Sequence, residues 1–163
     1  MNFFKELGLL IKWLFTGNPR KQETLQIEQF KHFPFKGYSA MSWCGHLITR
    51  YNPSYINKTV YNHETIHLLQ AKRFRTWIGF YLSYLWQWFK INPFIGPSNC
   101  AYYTSPYEME AYANEERPEY IENYDSSYIK TYYFIKNRRE TFRKYGETIS
   151  IWKLYLKATA PKL

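Results

Sequence analysis

Long uncharged apolar runs are missing from this sequence. The nearest, Trp77 to Phe89, lasts 13 residues before Lys90 closes it. A spanning helix needs about 18–20 such residues, so the run reads as a buried core helix. Cysteine is scarce: Cys44 and Cys100 are the only two. Their spacing fits no zinc finger and no CxxC pair, so they make no metal site by themselves. Two free thiols in a reducing compartment are expected. The opening stretch, MNFFKELGLLIKWLF, is apolar but interrupted by Lys5, Glu6 and Lys12. It also lacks a small-residue cleavage site and is not expected to act as a secretory signal. Internal repeats and low-complexity tracts are absent, which argues against a solenoid or a linker-joined chain. Histidine is sparse, with four in all and none beyond His67.

What is abundant is aromatic surface. Aromatic residues make up 21% of the chain, and Tyr alone occurs 17 times. With 45% hydrophobic residues, the composition belongs to a packed protein and not to a disordered one. Tyr buries its ring while its hydroxyl stays wet or bonded, so many Tyr are expected at layer boundaries. The 163 residues fit one domain, 1–163. The net charge of +9 is unevenly spread: residues 130–163 carry +7 and the preceding 129 residues only +2. Such a basic end is either a solvated helix face or a surface for anionic lipid, nucleic acid or an acidic partner.

Residues 2–16 read as an amphipathic helix, with Phe4, Leu7, Ile11 and Leu14 at helical spacing and Gly17-Asn18-Pro19 as its stop. This N-terminal segment, 1–18, either docks on the core or lies in a membrane interface. Residues 30–56 look extended, punctuated by Pro34, Gly37 and Pro53, with Tyr38–Tyr51 forming one long strand or a hairpin bent at Gly45. A helix follows from Lys58 to about Phe74, with Asn57 as its cap, and Thr76 caps a second. Asn92-Pro93 and Gly96-Pro97 mark a loop. Ser105-Pro106 with Glu108 reads as a capping box opening a short helix that ends before Pro118. A last helix is expected from about Ser127 to Tyr145, stopped by Gly146; Thr148–Leu156 is either strand or helix.

The chemistry is concentrated in His63-Glu64-Thr65-Ile66-His67. Histidines four apart on a helix share one face and can hold the same metal. The carboxylate of Glu64 then stands beside that metal, where it can take a proton from an attacking water and pass it to a leaving group. Zinc is the expected ion, because neutral imidazole and carboxylate suit it. A third ligand has to come from elsewhere. His32 and His46 lie upstream, and the acidic cluster Glu108-Met-Glu-Ala lies downstream. Glu108 and Glu110 cannot both reach one metal, since residues two apart on a helix face nearly opposite ways.

These residues carry a family resemblance. His63–Gln70 together with Glu108–Ala111 resembles the gluzincin metallopeptidases, which bear HExxH on one helix and a glutamate ligand on a later one. More narrowly, the chain resembles minimal HExxH proteins with a second ExEA or ExxAD motif, such as CAAX-prenyl-protease-like enzymes, and small uncharacterised bacterial HExxH proteins. The likeness covers His63 to Glu115. It implies a metal site of His63, His67 and Glu108 with Ala111 as the small residue that lets two helices approach. The family's aspartate is replaced by Tyr112. The other register makes Glu110 the ligand, with Ala113 small and Asn114 as polar support. In gluzincin-like folds the strand before the motif helix borders the cleft and can pair with a peptide substrate, and Trp43–Arg50 stands in that place. His46 or a nearby Tyr is a candidate for oxyanion support, while an ordinary strand histidine is the plainer reading. Gln70 and Asn62 are candidate supports for the ligands.

The expected fold is α+β: a mostly helical zincin-like domain with a small antiparallel sheet beside the motif helix. The expected function is that of a zinc-dependent metallopeptidase, a hydrolase of peptide bonds, with Glu64 as general base and Zn2+ as cofactor. The alternative is a non-catalytic zinc-binding domain that meets anionic membrane or nucleic acid through its basic C-terminal part. The expected partner is a peptide or protein substrate. Peripheral membrane contact is a candidate, and nucleic acid is disfavoured because no recognition motif accompanies the basic stretch. The expected location is the cytoplasm, or a membrane surface if residues 1–18 anchor there.

Overall fold

The computed structural model describes residues 1–34, 36, 38–91, 98–133 and 137–160, with the side chains of residues 98, 99 and 133 left aside. The expected loop at Asn92-Pro93 and Gly96-Pro97 lies outside these residues, as does Gly37. The architecture is α+β, mostly helical with one three-stranded sheet. The chain forms two compact units, residues 1–80 and 81–163.

In the first unit, β1 (Gln26–Gln29), β2 (Ala40–Trp43) and β3 (His46–Thr49) make a sheet of order β1-β3-β2. It is mixed, not antiparallel as expected: β3 pairs antiparallel with β2 but parallel with β1. The reason lies in the connection. Strands adjacent in sequence would make an antiparallel meander, but the segment after β1 carries Phe30 and Phe33, both buried in the core. Burying them sends the chain across the sheet, so β1 and β2 run opposite ways one strand apart, and β3 fills the slot. Leu47 and Ile48 are fully buried there. Each contributes roughly 1.5–3 kcal/mol from the area it removes from water. Of the two arrangements open to Tyr38–Tyr51, a long strand or a hairpin bent at Gly45, the hairpin is present. Its two turn residues, Cys44 and Gly45, have φ of 52° and 82°, the left-handed pair that a two-residue turn between twisted strands requires.

Helix α1 (Phe3–Thr16) starts at Asn2, whose Oδ1 accepts from the Lys5 N–H at 3.0 Å. Leu10 is buried, with Leu7, Leu9 and Trp13 packed around the same cluster as Phe30, Phe33 and Ile48. Glu6 is also buried. Its carboxylate accepts from the backbone N–H groups of Lys31 at 2.9 Å and His32 at 3.0 Å, and sits 3.1 Å from His32 Nδ1. Helix α1 therefore docks through Leu7, Leu10 and Trp13, and leaves Phe4, Ile11 and Phe15 in solvent. Helix α2 (Lys58–Ala71) is capped by Asn57, whose Oδ1 accepts from Val60 N–H at 2.9 Å, and it packs on β2. The unit boundary falls within α3 (Trp77–Phe89), whose first turn is capped by Thr76 through Gly79 N–H at 3.1 Å.

The second unit contains α4 (Ser98–Tyr103), α5 (Pro106–Asn114), α6 (Pro118–Glu122), α7 (Ile129–Tyr133), α8 (Arg138–Tyr145) and α9 (Ile149–Thr159). Helix α5 is its centre. It packs against α4, α7 and α9, and Met109 and Ala113 share a core cluster with Tyr132, Trp152 and Leu156. Trp152 satisfies its indole N–H on the Tyr103 carbonyl at 2.9 Å. Among the described residues, the single helix expected over Ser127–Tyr145 is two helices, α7 and α8. Asn137, left-handed at φ 52°, precedes α8 and breaks any continuous helical ladder. Gly146 ends α8 as expected, and the tail from Thr148 is helical, capped by the Thr148 hydroxyl on Ile151 N–H at 3.3 Å.

Candidate metal centre

Helix α2 has little apolar periodicity, and its buried positions are largely polar: Asn62, His63, His67 and Gln70. Burying four polar side chains on one short helix costs free energy unless each is bonded. The bonds are specific. Gln70 Oε1 lies 2.8 Å from His67 Nδ1. An amide oxygen only accepts, so Nδ1 carries the proton and Nε2 keeps its lone pair. Gln70 follows His67 by three residues, the spacing that puts two side chains on one helix face.

The Nε2 atoms of His63 and His67 converge to 3.2 Å, with their rings nearly perpendicular at 80°. Two nitrogens bound tetrahedrally to one zinc at ~2.0–2.1 Å stand ~3.3 Å apart. The observed separation therefore already suits a shared ion. Glu64 is half-buried on the same helix.

Helix α5 places its two glutamates in different surroundings. Glu108 is buried and accepts a hydrogen bond from the Tyr84 hydroxyl at 2.6 Å. Tyr84 is itself fixed by stacking on Tyr107, with centroids 5.4 Å apart, and the Tyr107 hydroxyl bonds Ser83 Oγ at 2.7 Å. Glu110 is fully buried among aromatic residues and accepts from the Tyr120 hydroxyl at 2.5 Å. Burial, and next the negative charge of Glu110, push the Tyr120 phenol far above its ordinary value, so it stays a donor. Asn114 donates to the Glu110 carbonyl at 2.8 Å and accepts from Arg117 Nη1 at 2.9 Å.

One ligand atom from each of His63, His67 and Glu108 lies within 4.8 Å of the others, and all three residues are buried. Among the described residues this group could hold a metal ion. Two nitrogens and one carboxylate oxygen are a donor set that zinc accepts, and three protein ligands leave a fourth position open.

Other expectations change. The capping box at Ser105 is not formed: the Ser105 N–H donates to the Tyr102 carbonyl at 3.0 Å, and its side chain makes no cap bond. Glu108 is thereby released from a capping role. The strand within Trp43–Arg50 is the central strand β3, paired on both sides, so it cannot accept an added peptide. The edge strands are β1 and β2. His46 stacks on Trp13 at 3.6 Å and 9°, and its Nδ1 lies 3.7 Å from Glu28. Burial lowers its pKa against the opposing pull of Glu28. It is a packed strand residue.

Tyr112, which follows Ala111 on α5, is raised well above its ordinary pKa by burial and then by the charge of Glu108. Lys153 sits 4.7 Å over its ring. The basic C-terminal part is partly consumed internally: Lys153 pairs with Glu115 at 2.9 Å and Lys157 with Glu116 at 2.8 Å. Cys44 and Cys100 are both buried and are not joined in a disulfide.

Tyr84 was not visible to sequence reasoning. It is one of 17 Tyr, in an aromatic run whose spacing to Glu108 carries no pattern. Comparisons with models of known protein families, with curated proteins and with solved structures give no match.

Proposed function

We propose that the protein is a zinc-dependent peptidase whose metal ligands are His63, His67 and Glu108. The observation that carries this reading is the pair of histidine Nε2 atoms converging at 3.2 Å, one of them turned there by Gln70. Zinc, when bound, supplies Lewis-acid activation of a water and of the scissile carbonyl. The chain's own residues supply the rest. Gln70 holds His67 in the tautomer whose Nε2 is a ligand. Tyr84 occupies one carboxylate oxygen of Glu108 and orients the group. Glu64, next to His63 in the chain, accepts a proton from the attacking water and returns it to the departing amine. The edge strand β2, packed on α2, is the strand that a peptide substrate would extend.

The test pairs metal analysis with catalysis. Purified protein should contain about one zinc per chain by elemental analysis. Hydrolysis of a quenched peptide library should vanish in Glu64→Gln while the metal remains. A wild type that holds zinc but cleaves no peptide would leave the metal site and remove the peptidase.

A further inference from the structure

We propose that the solvent face of α1 docks on an anionic lipid surface, with the helix lying in the plane of the interface. The face is apolar where a water-facing helix should be polar. Phe4 is 80% exposed, Phe15 70% and Ile11 49%. At 3.6 residues per turn these three fall within an arc of about 40°, on the side away from Leu10 and Trp13. They form one stripe along the helix.

The charges beside that stripe carry one sign. Lys5 and Lys12 are exposed on its flank, and Arg20 and Lys21 are exposed just beyond the helix. The only acid before Glu23 is Glu6, and it is buried beneath the backbone of Lys31 and His32. An apolar stripe edged by lysines that pair with no acid among the described residues is complementary to acyl chains under anionic headgroups. It suits nucleic acid poorly, since Phe4, Ile11 and Phe15 offer nothing to phosphate.

Spanning is excluded for this segment. The helix has 14 residues, about 21 Å of rise, and no helix among the described residues is long and apolar enough to cross a membrane. Interfacial burial needs only about 5–10 Å of depth. The opposite face remains docked on the sheet side of its own unit, so the stripe can enter lipid without unfolding anything. This surface is independent of the metal centre and of any peptidase activity.

The full-length chain should co-sediment with vesicles of phosphatidylcholine containing about one-third phosphatidylserine, and much less with phosphatidylcholine alone. The triple variant Phe4→Ser, Ile11→Ser, Phe15→Ser should weaken partitioning by at least about 100-fold. Lys5→Gln with Lys12→Gln should weaken it about 25-fold, roughly fivefold per lysine, and high salt should reproduce that loss. The lysine variant keeps every apolar residue, so it reports even if the triple variant misfolds. Wild-type protein left in the supernatant, or binding by both variants as strong as the wild type's, would overturn the proposal. So would an apparent dimer in sedimentation without lipid that the triple variant dissolves, because the stripe would then serve a second copy of the chain.

Discussion

Helices α2 and α5 both bury polar side chains, yet they do so differently. In α2 the buried His63, His67 and Gln70 sit at spacings of four and three, and their atoms meet one another. In α5 the buried Glu108 and Glu110 sit two apart and meet different partners, Tyr84 and Tyr120. A helix brings residues three or four apart together by its own geometry. It sends residues two apart in separate directions, and their partners come from other segments. The first kind of site is a property of one helix. The second depends on which tyrosine each carboxylate meets.

The largest expected effect tests the α2 pair. His63→Ala or His67→Ala should lower zinc affinity by more than about 100-fold, exceeding the loss typical of a supporting residue. Competition with a chromophoric chelator measures it. Next comes the contrast inside α5. Glu108→Gln should lose zinc on a similar scale, while Glu110→Gln should keep it. The reverse result would exchange the roles of the two glutamates and break the comparison.

Removing the supports should cost less. Gln70→Ala and Tyr84→Phe should each weaken zinc binding by about 10–100-fold without removing the site. For Glu110 the support is structural. Tyr120→Phe takes away its donor and leaves a buried carboxylate poorer by one bond, costing about 1–3 kcal/mol. Thermal unfolding should show a drop of several degrees, about 2–4 °C per kcal/mol for a chain this long, with metal content unchanged.

The smallest effect concerns a third buried carboxylate, Glu6. Burial alone would raise its pKa, but the N–H groups of Lys31 and His32 and the His32 ring outweigh it and hold the group below its ordinary 4.5. A depressed carboxylate stabilises the fold above its unfolded value and loses that contribution as pH falls through the folded one. Stability should therefore decline below about pH 4.5 in the wild type. Glu6→Gln should show a flatter acid limb in denaturant titrations, and an unchanged limb would remove Glu6 from the acid response.

Much of the local structure could be read from residues alone. Asn57 and Thr76 as caps, Cys44-Gly45 as a hairpin turn and the helical spacing of His63 and His67 each rest on a few neighbouring positions. The misreadings share a cause. The parallel pairing of β1 with β3 follows from burying Phe30 and Phe33, and the lost capping box follows from Ser105 N–H finding the Tyr102 carbonyl. In α1 the pattern Phe4–Leu7–Ile11–Leu14 marked a helix but left its docking face open. The core takes Leu7, Leu10 and Trp13, and leaves Phe4 and Ile11 outside.

The sequence by itself determined that the two histidines share one helical face, because four residues are just over one turn. It also favoured two glutamates, Glu108 and Glu110, as candidates for a third ligand. Only the tertiary structure put Glu108 within reach of His63 and His67 and gave Glu110 to Tyr120. The physical reason is that a carboxylate's role depends on the donors and charges around it, and those arrive from segments that no local spacing can identify.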